Sequence, residues 1–198
     1  MYFVSSAYNS STPLVAEVMP DVGITNNRQF SNKVSEAVGG ELHSFNPHTG
    51  KKVWNMTLSN FSSTFKGNLE SFRDAVNFTR DSFTFYDSLN PTLTSRTTID
   101  EDVDFGETHI VVSSLTNLAV KDIIRIGNCD GVITVVNGGD TSITVNVGSQ
   151  GGIVASDGET LYEHTGSNTV RFVSGLQFQE ISIGRYSTSF VLKEVVPS

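Results

Sequence analysis

The chain has 198 residues, 37% hydrophobic and 17% charged, which is enough for one ordinary domain or two small ones with a real core. Its 13 Lys and Arg against 21 Asp and Glu leave a formal net charge of −8, which argues against a general phosphate-backbone binder, whose affinity needs clustered cations. A single cysteine, Cys129, excludes an intrachain disulfide framework, and no stretch approaches the roughly 18 apolar residues of a membrane span.

The opening "MYFVSSAYNSS" lacks both a basic n-region and a long apolar run, so no secretory signal is expected and folding in a reducing cytoplasm fits. Residues 1–38 are polar and aperiodic and read as loop with one short strand, a stretch that needs something to pack on. Two strand-like runs, "ELHSF" and "KKVWNMTLS", flank the turn chemistry of "NPHTG" and predict a hairpin carrying His43 and His48. In the second run Trp54, Met56 and Leu58 share one face and Val53, Asn55 and Thr57 the other, the alternation of a half-buried strand.

Phe61, Phe65, Leu69, Phe72 and Val76 then recur at spacings of 4, 4, 3 and 4, which predicts the one convincing helix. Asn60 or Ser62 can cap it, and Gly67 weakens it by about 1 kcal/mol. "DSFTFYD" follows as a strand, with Phe83 and Phe85 on one face and Tyr86 on the other. "SLNPTLTS" breaks the pattern.

Beyond Arg96 the runs "ETHIVVSS", "DIIRIGN", "GVITVVN" and "TSITVNV" are short, β-branched and separated by Gly, Asn and Asp. "VVNGGDTS" gives a tight hairpin, since Asn137, Gly138 and Gly139 tolerate positive φ. With a final "GSNTVRFV", they predict a small antiparallel barrel. The closing "GLQFQEISIGRYSTSFVLKEVV" alternates through Phe178, Ile181, Ile183, Phe190 and Leu192 and returns to the aromatic character of the first half. The layout expected is mainly β: a host domain from both ends, 1–95 with 171–198, interrupted by a barrel at 96–170.

Tests for chemistry find no constellation. "DEDVDFGE" imitates a calcium loop at Asp100, Asp102 and Asp104, but puts Phe105 where the loop needs Gly and Val111 where it needs Glu. "STFK" (Ser63 to Lys66) has the Ser-x-x-Lys spacing without its partner motifs, so it reads as a helix start with a surface lysine. His43, His48, His109 and His164, the last placed in a loop, have no metal-ligand spacing with each other or with Cys129. No Gly-rich phosphate loop occurs. The expectation is therefore no enzyme, no cofactor and no metal, with the aromatics packing a core rather than stacking a ligand.

The segment "WNMTLSNFSSTFKGNLESFRDAVNFTRDSFTFYD", a Trp strand, a short helix and a Phe-rich strand ending in Asp, resembles the N-terminal domain of tail-tip proteins from long-tailed, non-contractile phages. The run from "ETHIVVSS" to "GSQGGI" is similar to the small barrel of viral tail modules, with "VKDIIRIG" placing Lys-Asp at the usual Gly-Asp. Over about residues 40–198 the chain thus resembles the siphophage distal tail protein family, in the form carrying an OB-fold-like barrel inserted into a β-sandwich-like ring-forming domain.

The resemblance implies a structural virion protein at the phage tail tip, made in the host cytoplasm. It implies a homohexameric ring that joins the tail tube protein to the hub or baseplate, with DNA passing through the lumen, no sequence-specific nucleic-acid binding and no membrane. Within it, Trp54, Phe65, Leu69, Phe72, Phe83 and Phe85 are expected to build the ring domain's core, and Tyr86 is the ring left free to meet a partner. The alternatives are a carbohydrate-binding module contacting a host surface glycan, for which the barrel offers only Tyr162, and another minor tail or tail-completion protein.

Overall fold

A strand whose alternate side chains are apolar buries one face, and a helix with an apolar stripe covers it; those two rules account for most of the architecture. A computed structural model describes residues 1–9, 12–16, 26–29, 33–36, 42–45, 51–88, 91–147 and 152–195, with the backbone path alone for the three short segments between 26 and 45. Strands β1 (Tyr2–Val4), β2 (Leu14–Val15), β3 (Asn26–Gln29), β4 (Lys33–Glu36) and β5 (Leu42–Phe45) precede β6 (Lys51–Ser62), helix α1 (Ser63–Ala75) and β7 (Phe83–Tyr86). Next come β8 (Leu93–Thr98), β9 (His109–Val111), β10 (Ile123–Ile126), β11 (Cys129–Asn137), β12 (Ser142–Asn146) and β13 (Thr160–His164). Three strands, β14 (Asn168–Phe172), β15 (Gln177–Ser182) and β16 (Arg185–Glu194), come last.

The protein is mainly β with one helix, in two large antiparallel sheets. The first runs β2-β1-β7-β14-β16-β6-β3, with β15 also paired to β16; the second runs β8-β13-β10-β11-β12-β9. In the first, β6 turns Trp54, Met56 and Leu58 inward as their alternation demands. Near its end Ser59 and Asn60 together face Ser187 alone, a bulge with Asn60 at φ 63°. The bulge ends the regular ladder just before the helix. Phe61 is therefore a strand residue, not the first of the helical stripe, although it stays in the core with its ring 5.3 Å from that of Phe65. Ser62 is the N-cap: its Oγ accepts from the Phe65 amide at 3.2 Å.

Helix α1 then buries Phe65, Leu69 and Phe72 against the sheet and turns Lys66 and Glu70 outward, 3.2 Å apart. Beyond its cap at Val76, two successive residues, Asn77 and Phe78, are left-handed (φ 48° and 59°) and reverse the chain into β7. There Phe83 and Phe85 meet the helix and the neighbouring strands: Phe72 to Phe83 is an edge-on contact at 5.0 Å, Trp54 to Phe85 another at 5.5 Å.

Within 1–38, where loop with one short strand is expected, the described residues are richer in strand. They contribute β1 to β4, because Tyr2 and Phe3 are a strand pair that adds to β7, with Phe3 stacked 5.7 Å from Phe85. Among the described residues the hairpin expected between 41–45 and 51–59 does not form; β5 pairs with β4, and β6 pairs with β3 and β16. "GSNTVRFV" is not the barrel's last strand either. As β14 it lies between β7 and β16, where Val170 and Phe172 are buried in the aromatic core. Ile181 and Ile183, which continue the apolar alternation on paper, are exposed, Ile183 fully so at the β15–β16 turn.

The second sheet begins at Leu93, inside the stretch that seemed to break the pattern, and curls into a half-barrel. Its two edges touch where Ile99 bridges Val112, with the Asp100 amide on the Val111 carbonyl at 3.1 Å and Ser113 on Thr98 at 3.0 Å. Its interior is aliphatic: Ile110, Ile124, Ile126, Ile133, Ile143 and Leu161 are buried together. Gly131 is required there, since a Cβ would lie 2.2 Å from Val145 Cγ1. In the β11–β12 turn the left-handed residue is Thr141 (φ 52°), not Gly138 or Gly139.

Candidate functional site

The six expected core residues, Trp54, Phe65, Leu69, Phe72, Phe83 and Phe85, lie together in one buried cluster. Tyr86 lies elsewhere. Register pairs it with Tyr2 on the opposite face of the first sheet, where both meet Ile123 and Val132 of the second. Burial pushes the Tyr86 hydroxyl pKa up, with the nearby Glu163 and Asp122 carboxylates adding to it. The first surface that Tyr86 meets is thus the half-barrel of its own chain.

That junction holds the most concentrated polar chemistry among the described residues. Strands β10 and β11 are joined by the two residues Gly127 and Asn128, with Gly127 at φ 56°, and the ladder sets Arg125 opposite Asp130. The guanidinium grips the carboxylate as a fork, Nε to Oδ1 at 2.6 Å and Nη2 to Oδ2 at 3.0 Å. Nη2 also donates to the carbonyl of Ser88, just past β7, at 2.9 Å. From the end of β13, His164 places Nε2 at 3.0 Å from Asp130 Oδ1, and its ring is buried rather than sitting in a loop.

Burial alone would push the Asp130 carboxyl up. The hydrogen bonds from His164 and Arg125 outweigh it and hold the group well below the usual carboxylate range. Tyr2 completes the cluster: its ring packs edge-on to His164 at 6.4 Å, and burial, followed by the charge of Asp130, drives its hydroxyl pKa up. On the first-sheet side the Trp54 indole Nε1 donates to Asp87 Oδ2 at 3.3 Å. The core and the junction are therefore linked through two consecutive residues, Asp87 and Ser88.

In this arrangement Asp130 and His164 are buried and Arg125 is half-buried. Cys129 is adjacent in sequence but donates its Sγ to the Gly152 carbonyl at 3.3 Å instead of facing His164. Of the motifs singled out in the sequence, Lys66 sits 5.4 Å over the rings of Phe178 and Tyr186. Asp102 accepts from the Asp157 amide at 2.9 Å, and the Asp104 amide donates to Glu107 at 2.9 Å. His109 is 3.3 Å from Asp140. The His43 side chain and all of His48 lie outside the described residues. Among the described residues no three His, Cys, Asp or Glu side chains are grouped to hold a metal.

From the sequence, neither Arg125 nor Asp130 is singled out, and His164 is weighed only as a metal ligand. The signal was the Gly-Asn pair of "RIGNCD": a two-residue turn fixes register, so the residues two before and two after it must face each other. Nothing local in the sequence pointed to His164.

A second feature is the outer face of β15 and β16. Ser174, Gln177, Gln179, Ser187 and Ser189 line a shallow groove there without an ionisable group. Among the described residues β15 pairs only with β16, so its far edge is open. No family model matches the chain, and no curated protein matches it either.

Proposed function

We propose that this chain is a structural virion protein of a long-tailed phage, a distal tail protein or a close relative. In this reading the first sheet with its helix forms a β-sandwich-like ring-building domain, and the half-barrel of β8 to β13 is an OB-like barrel carried on it. Six copies make a ring at the end of the tail tube and join the tube protein to the hub. The work is geometric: one surface matches the tube, the other the tip, and DNA passes through the lumen, from which a net charge of −8 helps to keep it from sticking.

The observation that carries the reading is how the half-barrel is placed in the chain. Its strands β8 to β13 lie in sequence between β7 and β14, yet β7 and β14 are hydrogen-bonded neighbours through Asn168–Phe85 and Val170–Phe83. A module that leaves and returns through adjacent strands leaves the host sheet whole, which suits a decoration on an assembly domain. The uncharged groove, the open β15 edge and the exposed Ile181 and Ile183 also suit contact between copies, because interface centres are poor in charge and open edges invite pairing.

Light scattering and negative-stain imaging of the purified protein, alone and with tail tubes, test the proposal. Six-membered rings seated on tube ends are the expected result. A stable monomer that never assembles on tube ends sinks it.

A further inference from the structure

We infer that the junction between the two sheets is a latch, through which the half-barrel docks on the first sheet and releases as a unit with both cores intact. The inference stands whether or not the chain assembles into a ring. It begins with how little apolar surface joins the two bodies. Each large sheet has its own buried core, and among the described residues the cluster between them has Tyr2, Ile123 and Val132 buried, with Val4, Val15 and Tyr86 partly buried against them.

The rest of the contact is polar and mostly belongs to the half-barrel. Arg125, Asp130 and His164 stand on β10, β11 and β13, and they reach the other side at Ser88, whose carbonyl accepts from Arg125 Nη2 at 2.9 Å, and at the buried Met1 amino group, which feels the charges of Asp130 and Arg125. Opening an apolar joint costs free energy in proportion to the area exposed, whereas ions freed from burial regain hydration that offsets their lost contacts. Two further groups favour release. The Tyr2 hydroxyl and His164 Nδ1 are buried without a hydrogen-bond partner among the described residues, and both gain water when the joint opens.

The hinge lies beside the latch. Where the chain returns from the half-barrel, the amides of Thr165 and Gly166 both donate to the Thr92 carbonyl, at 3.0 and 3.3 Å. A Cβ on Gly166 would come within 2.4 Å of Thr92 Cβ and Oγ1, so the outgoing and returning segments run in direct contact. Two tethers at one place leave the half-barrel free to swing, where two distant tethers would prevent it. The geometry thus supplies two bodies, each with its own core, whose chain crossings meet at Thr92, Thr165 and Gly166 beside one fastening whose release is offset by rehydration.

The test measures the distance between spin labels at Asn68→Cys on α1 and Val135→Cys on β11, in the full chain carrying Cys129→Ser. The expected result is one distance in buffer, with a second, longer population in Asp130→Asn and in Arg125→Met at roughly tenfold the level of the parent. The parent itself keeps the proposal testable should those variants fail to fold. Under rising urea its second distance should appear before Trp54 fluorescence reports loss of the first core. A single distance that persists until Trp54 is exposed means that the junction unfolds only with the cores, and overturns the inference.

Discussion

The two large sheets cover their inner faces with different side chains. The first core is aromatic, built from Phe3, Trp54, Phe61, Phe72, Phe83, Phe85, Phe172 and Phe190 around the helix residues Phe65 and Leu69. The second is made of Ile, Val and Leu with Ala155, and among the described residues it has no buried aromatic. The difference follows from shape. A helix standing off a sheet leaves a wide gap that large rings fill edge to face, while a sheet curled on itself leaves a narrow interior that β-branched side chains pack in few rotamers. Between them, the junction sets the apolar contact of Tyr2, Ile123 and Val132 beside the Arg125–Asp130–His164 cluster, which reaches the first sheet at Ser88.

The largest effects should come from breaking each region at its centre. Phe72→Ala removes a ring that touches Phe3, Tyr8 and Phe83 and should destabilise the protein by about 3–5 kcal/mol in urea unfolding. Asp130→Ala should cost somewhat less, about 2–4 kcal/mol, because it leaves the half-buried Arg125 guanidinium and the buried His164 without their carboxylate. The pH dependence distinguishes the two. Asp130 has a folded pKa below its unfolded value of about 4, so its stabilisation is complete above that value. That part is lost as pH falls toward the folded pKa. Stability measured against pH should therefore decline below about pH 4 in the parent and in Phe72→Ala, and Asp130→Asn should lack that part of the decline.

Smaller changes sharpen the contrast. Ile143→Val in the aliphatic core deletes one methylene and should cost about 0.5–1.5 kcal/mol, read from the shift in unfolding midpoint. Ser62→Ala removes the cap that ties β6 to α1 and should cost about 1 kcal/mol, with fraying of the first helical turn in amide exchange. Gly67→Ala should act in the opposite direction. The position is exposed and helical with open space for a Cβ, so the variant should gain about 0.5–1 kcal/mol.

Much of the first sheet was legible because its signals are local. The two-residue alternation of Trp54, Met56 and Leu58 and the stripe of Phe65, Leu69 and Phe72 each state which side is buried, and those sides are the buried ones. Phe61 was misassigned because a residue four before Phe65 suits a helical stripe as well as the end of a strand. Only the bulge at Asn60, fixed by pairing with β16, separates the two. The short N-terminal strands were invisible for a related reason. Three residues carry no periodicity, and "YFV" becomes a strand because β7 offers it an edge.

The sequence by itself determined that the chain would be mainly β with one helix, where that helix would lie, and that Trp54, Phe83 and Phe85 would turn inward. Short-range spacing is enough for such choices, since neighbours along the chain share one backbone geometry. Tertiary structure alone decided which strands pair, that β14 belongs beside β7, and that Arg125, Asp130 and His164 meet on three different strands. Those choices depend on contacts between residues far apart in sequence, where the free energy of burying and pairing both partners, rather than the pattern of either, selects the partner.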